Sequence, residues 1–309
     1  KGEIIFSKNA NKSFFKNTTT YNGLWNTDKA TTVNNNNNAN QRNVAPSTSV
    51  QNSMSAIVPW KEKLVNVMSF INYRDDKQDL SVTPASYLQN LDPTLIANSD
   101  LVHQYLNLKT FETIHSASIG FSKNSWTFTP EVGLNFSTNK LITDTYGQSN
   151  AGIQNFGADY ENNLKFQKSN PYAQLMINYK KGSFEANLTS PVNFNKITAN
   201  DGVKVDRSLT KTTYEPRLFA RYDLTSFWKI SSFAGMSYSF GSINDIYGSY
   251  ILLSARNITK KDTDIQQNKS QFVGSALEYR NPLNNIFFNV RYNFNDRSSN
   301  ITYLNKLNS

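Results

Sequence analysis

Ser125 to Ser137 reads SWTFTPEVGLNFS, and this stretch decides the fold. Its even positions are Trp126, Phe128, Pro130, Val132, Leu134 and Phe136. Its odd positions are Ser125, Thr127, Thr129, Glu131, Gly133, Asn135 and Ser137. Strict alternation of apolar and polar residues is the signature of an extended chain, whose successive side chains point to opposite faces. The split recurs at Phe184, Ala186, Leu188, Val192 and Phe194, set against Ser183, Glu185, Asn187, Thr189 and Asn193. It recurs again at Trp228, Ile230, Ala234, Met236, Tyr238 and Phe240, and at Ile286, Phe288, Val290, Tyr292 and Phe294. Shorter versions run through Val65–Tyr73, Ala173–Tyr179, Pro216–Leu224 and Val273–Tyr279.

Length sorts these strands. The alternation persists for about 10 to 14 residues, whereas strands of soluble sheets centre on about 5–6. A bilayer is crossed by about 9–11 tilted residues. Connections agree: tight links at Val58–Lys61, Ser122–Ser125, Lys180–Ser183, Asp223–Ser226 and Asn281–Asn285 alternate with long polar stretches at Arg74–Thr110, Lys140–Asn170, Lys196–Thr213 and Gly241–Lys269. In an up-and-down sheet this puts every long connection on one side, as in outer-membrane barrels. The faces grade as a bilayer requires. Aromatics at the turn end (Trp126, Phe128, Phe184, Tyr222, Trp228) and at the loop end (Phe136, Phe194, Tyr214, Tyr238, Phe240) flank aliphatics such as Val132, Leu134, Leu188, Ile230 and Ala234. Trp126, Phe128, Leu134, Leu188, Trp228, Ile230 and Val290 are therefore expected to face lipid.

Composition narrows the classes. Of 309 residues, 43 are Asn and none is Cys, which excludes disulfide scaffolds, cysteine zinc sites and thiol catalysis. Aromatics at 13% argue against disorder, and no apolar run approaches the roughly 20 residues of a spanning helix. The net charge of +9 is scattered singly rather than in runs, so it marks no nucleic-acid footprint and fits attraction to anionic lipid. Along the chain, residues 1–48 carry weakly patterned strands (Glu3–Phe6 and Ser13–Trp25). An Asn-rich stretch, Thr27–Ser49 with the run Asn34–Asn38, reads as an exposed loop. Residues 49–295 hold ten strands in regular hairpins, and 296–309 the start of a further strand or loop. The expected fold is all-β: an antiparallel, up-and-down transmembrane β-barrel, partial, with about 10–12 strands of a larger barrel.

Catalytic chemistry finds no footing. His103 and His115 have no third ligand at metal spacing, and no nucleophile elbow or phosphate-binding glycine loop is present. Asp75-Asp76 and Asp262 with Asp264 lack a calcium-loop pattern and read as solvated charge. No enzyme activity, cofactor or metal is expected. The informative charges are Glu131, Glu185, Glu215, Arg217, Arg221, Glu278, Arg280 and Arg291, all on the polar phase of their strands. An Arg or Lys on the lipid face at mid-membrane costs about 2–4 kcal/mol, so these eight are expected to face the lumen.

Three segments carry a family resemblance: SAIVPWKEKLVNVMSFINYRDD (55–76), NNLKFQKSNPYAQLMINYKKGSFEANLTSPVNFNKI (162–197) and YEPRLFARYDLTSFWKISSFAGMSYSFGSINDIYGSYIL (214–252). With the YRNPLNNIFFNVRYNF hairpin they resemble TonB-dependent-receptor-like outer-membrane barrels of Bacteroidota over most of the chain. That resemblance implies residence in the cell outer membrane among its lipids, a plug domain and the TonB system as partners, and uptake of an unidentified bulky solute: a metal chelate, glycan or peptide. Such proteins enclose the plug in a barrel of about 22 strands. Their signal, plug and terminal aromatic have no counterpart between Lys1 and Ser309, so the chain reads as an internal slice that does not close by itself. A small passive porin, or a carbohydrate-binding surface β-protein, is the alternative reading.

Overall fold

The computed structural model describes residues 1–10, 13–34, 37–90, 93 and 98–301. Its strands are β1 (Gly2–Ala10), β2 (Ser13–Asn34), β3 (Asn37–Trp60), β4 (Lys63–Thr83), β5 (Leu101–Ile119), β6 (Phe121–Lys123), β7 (Trp126–Ser149), β8 (Gly152–Asn155) and β9 (Asn162–Lys181). They continue as β10 (Phe184–Asn200), β11 (Asp206–Tyr214), β12 (Arg217–Asp223), β13 (Trp228–Phe240), β14 (Ile246–Ser254), β15 (Asn257–Asp262), β16 (Gln267–Asn281) and β17 (Ile286–Ser299). One antiparallel sheet runs β1-β2-β3-β4-β5-β7-β9-β10-β12-β13-β16-β17, with β6 and β8 paired to β7 and β11 paired to β10. This is an up-and-down partial barrel wall, open between its edges β1 and β17. β11 and β12 are one strand interrupted at Glu215-Pro216, where Pro216 offers its carbonyl to the Met236 amide at 3.0 Å.

Turn chemistry sets the hairpins. Two-residue links after β3, β6 and β9 begin with Lys61 (φ 55), Asn124 (φ 53) and Gly182 (φ 55). A positive φ at that position lets the backbone twist match the right-handed twist of the flanking strands. All three links fall on one side of the wall, with the links after β12 and β16.

The opposite side differs from the sequence expectation. The stretches read as long polar connections are largely strand: β4 continues to Thr83, β5 starts at Leu101, β7 runs to Ser149, and β9 starts at Asn162. β10 and β11 pair from Val192↔Tyr214 to Asn200↔Asp206 inside the expected loop Lys196–Thr213. Likewise β2 and β3 pair through Asn34↔Asn37, so most of Thr27–Ser49 is hairpin, while Asn35 and Asn36 lie outside the described residues. So does most of the expected additional strand after Asp296; β17 itself extends to Ser299.

Polarity explains the discrepancy. Along β7 the even positions are apolar from Trp126 to Phe136, several of them exposed; beyond it the odd positions Leu141, Thr143, Thr145 and Gly147 are buried. β4 switches from Val65, Val67, Ile71 and Tyr73 to Leu80 and Val82; β9, read backwards, from Tyr179, Ile177 and Ala173 to Phe166 and Leu164. β10 switches from Phe194 to Ile197 and Ala199. Near the turns the apolar stripe therefore lies on one face, and in the upper half it lies on the other.

The upper stripe is apolar because something covers it. β14 and β15 form a separate two-stranded sheet within Gly241–Lys269, a hairpin that alternation had not shown. Ile246, Tyr247 and Ile251 pack with Leu141, Leu164, Phe166, Ile197 and Ala199, and Leu252 and Ala255 with Leu80, Val82 and Val102. The core of the molecule thus sits in its upper half, and the face bearing this hairpin is called inner below.

Candidate functional site

Register places seven of the charged candidates on the inner face, and bonds to Asn193 and Thr213 bring Glu215 to the same face. Glu185 lies opposite Arg221, Lys229 opposite Glu278, Ala276 opposite Arg291, and Arg280 opposite Phe287, whose ring its guanidinium approaches to 5.8 Å. Glu131 lies opposite Gln174 and accepts hydrogen bonds from its amide at 3.1 Å and from the Tyr172 hydroxyl at 2.7 Å. Glu215 accepts from Asn193 Nδ2 at 3.0 Å and Thr213 Oγ1 at 2.8 Å. Arg217 lies opposite Thr189, and Arg221 forms a bidentate pair with Asp223 at 2.9 and 3.0 Å. The wall does not gather these charges into one centre; it spreads them down a polar surface rich in Asn, Ser and Thr.

The seven apolar candidates share the other face. Phe128 lies opposite Ile177, Leu134 opposite Pro171, Leu188 opposite Leu218, and Val290 opposite Leu277, which in turn lies opposite Ile230. Val132 keeps 60% of its surface exposed and Val290 52%, values that set these residues apart from the buried upper core. At the turn end aromatics touch across strands: Trp126 and Tyr179 at 4.4 Å, Tyr179 and Phe184 at 5.9 Å, Trp228 and Tyr279 at 4.7 Å. At the loop end Phe240 leaves the expected girdle and packs against the upper core.

Above the polar surface sits the docked hairpin, held by amide side chains from three wall strands. Gln104 of β5 is fully buried; its Nε2 donates to the Leu252 carbonyl at 2.9 Å and its Oε1 accepts the Leu252 amide at 2.6 Å. Asn162 of β9 accepts the Ser249 amide at 3.1 Å, and Gln41 of β3 accepts the Ala255 amide at 2.9 Å. Gln104 and Asn162 give β14 partners that a neighbouring strand would supply, and Gln41 does so for the turn after it. Lys204 adds bonds to the Ala158 carbonyl, Asp159 and Ser249 at 2.7 to 3.1 Å. The Lys204 ammonium holds the Asp159 carboxyl below its usual range. On the outer face of this half, desolvation and then the Glu161 charge push the Asp144 carboxyl up.

The histidines are not brought together. His103 Nε2 meets Asp79 at 2.6 Å and stacks near Tyr146, whereas His115 meets Thr113 Oγ1 at 2.6 Å on the outer face of β5. Asp76 pairs with Arg74 at 2.7 Å, Asp75 with Lys77 at 4.0 Å and Asp262 with Arg207 at 3.3 Å. On the inner face, bordered by Ile197 and Phe240, lies a cavity of about 280 Å³ lined by Glu112, Asn135, Ser137, Lys168, Asn170 and Asn195 among others. Residue-by-residue reading did not single out Lys168, Gln104 or Asn162; the signal that marks them is a polar residue on the apolar phase of the upper strands.

No family model matches the chain, and no curated protein matches it. Solved structures do. It is similar to the ferric citrate transporter FecA in the unliganded form (8% identity, TM-score 0.49), over 96% of this chain and 52% of that one. It is similar to the siderophore receptor PiuA from Acinetobacter baumannii (9% identity, TM-score 0.47), over 90% and 50%. The copper transporter OprC gives 8% identity and a TM-score of 0.46, over 91% and 50%. The chain spans about half the length of these structures.

Proposed function

We propose that this chain is part of the barrel wall of an outer-membrane receptor of the TonB-dependent type, which takes up a bulky solute. The observation that carries the reading is the polarity switch along β4, β7, β9 and β10. Exposed apolar residues on the outer face, with aromatics toward both margins, suit hydrocarbon, and the opposite polarity above them suits water. In this reading Trp126, Phe128, Leu134, Leu188, Trp228, Ile230 and Val290 face lipid. Glu131, Glu185, Glu215, Arg217, Arg221, Glu278, Arg280 and Arg291 line the lumen against a plug domain. The wall makes and breaks no bonds; its upper half captures solute, and the TonB system supplies the pull that moves the plug.

The test uses the full-length protein in its native membrane, with a photo-crosslinker at Glu185, Arg221 and Glu278 in turn. Intramolecular products with a globular domain inside the barrel are expected. An absence of such products, together with steady open-channel conductance in planar bilayers, would establish a passive porin instead.

A further inference from the structure

The cavity on the inner face carries two opposite charges, Glu112 and Lys168. Glu112 and Lys168 both lie opposite Ser137, on β5 and β9, so their backbones are separated by two strand spacings, about 10 Å. Neither enters a salt bridge among the described residues. Lys168 Nζ donates to the Phe240 carbonyl at 3.3 Å and lies 5.4 Å from the Phe166 ring centre, and no other hydrogen bond among the described residues uses its remaining N–H donors. Asn170 Oδ1 is buried without a hydrogen-bond partner, although its Nδ2 donates to Asn193 at 3.3 Å. Ser137 lies between the two charges, and Ile197 and Phe240 supply an apolar border.

Two opposite charges held about two strand spacings apart match a ligand that carries both signs. We infer that this cavity is a binding subsite for a small zwitterion, an amino acid or the terminal part of a short peptide. Its carboxylate meets Lys168, and its ammonium meets Glu112. The inference deepens the receptor reading by naming the chemical class of the solute, and it rests on that reading for its biological purpose.

The experiment is calorimetric titration of the full-length protein, purified in detergent, with glycylglycine, its N-acetyl derivative and its C-terminal amide. Glycylglycine is expected to bind saturably, and each blocked form at least about tenfold more weakly, the loss of one charge-assisted contact. K168M should erase the difference between glycylglycine and its amide, and E112Q the difference between glycylglycine and its N-acetyl form. K168R should keep both differences. The comparison of the three ligands on unmodified protein stands even where a variant fails to fold. Lack of saturable glycylglycine binding, or equal binding of all three ligands, overturns the inference. Binding in detergent needs no energised membrane, so a failure of transport would be scored separately.

Discussion

The side-chain amide of Gln104 pairs with both backbone groups of Leu252, 148 residues away along the chain. A side chain here stands in for a strand edge, and that substitution ties the upper hairpin to the wall. Q104L should leave a buried N–H and C=O without partners, at about 1–3 kcal/mol each. Hydrogen exchange across 246–262 should accelerate while the lower strands stay protected. Unchanged exchange in the hairpin would mean that apolar contacts alone hold it.

The lower half should behave as lipid-facing wall. L188R is expected to weaken folding into vesicles by about 2–4 kcal/mol, measured by urea titration. A fluorophore on V132C or V290C should be quenched by brominated lipid, and one on D206C of the upper half should not. Equal quenching at all three positions would contradict the two-level wall.

Sidedness follows from topology. Tags in Asn34–Asn38 or Gln148–Asn155 should be reachable on intact cells, and one between Lys181 and Gly182 only after the outer membrane is opened. Antibody labelling decides it, and equal access everywhere would exclude the arrangement.

How much of this could be read from residues alone depends on phase. Val65 to Tyr73 and Trp126 to Phe136 keep one phase long enough to announce strands, and register confirms their pairing through β5. Leu80, Val82, Leu141 and Leu164 belong to the same strands but sit on the opposite face, in the two clusters that hold the hairpin. A window with fixed phase averages the two halves to nothing, so the upper strands resemble polar loop. The hairpin escapes for a related reason: Ile246, Tyr247, Gly248 and Ser249 are buried in succession, and burial on both sides leaves no alternation to read. Gln104 and Asn162 show only as polar residues on the apolar phase of the upper strands, and the distant backbone they hold makes them structural.

Asp144 provides a pH test. Its carboxyl titrates above the ordinary value, so the charged form is disfavoured in the folded state. The penalty is absent below the unfolded carboxylate range and grows as pH rises through the raised folded pKa. D144N should therefore raise thermal stability at neutral pH and leave it unchanged in acid. A stabilisation of equal size at both pH values would assign the effect to packing rather than charge.

Three glycines of the inner face meet aromatic rings across the sheet. A Cβ at Gly133 would lie 2.5 Å from Tyr172, one at Gly235 2.5 Å from Phe272, and one at Gly274 would strike Phe233. Gly133→Ala, Gly235→Ala and Gly274→Ala should each cost about 1–3 kcal/mol by overpacking, measured by chemical denaturation in detergent. Substitution without loss would show that the rings move freely.

Between β13 and β16 these pairs come in opposite order, Phe233↔Gly274 followed by Gly235↔Phe272. A slip of one residue would turn every side chain to the wrong face. A slip of two keeps the faces, so hydrophobicity cannot reject it, yet in one direction it drives Phe233 onto Phe272 and in the other it sets Gly235 against Gly274. The two rings and two glycines work as a key cut for a single alignment, and they correct the one error to which an alternating strand is otherwise blind.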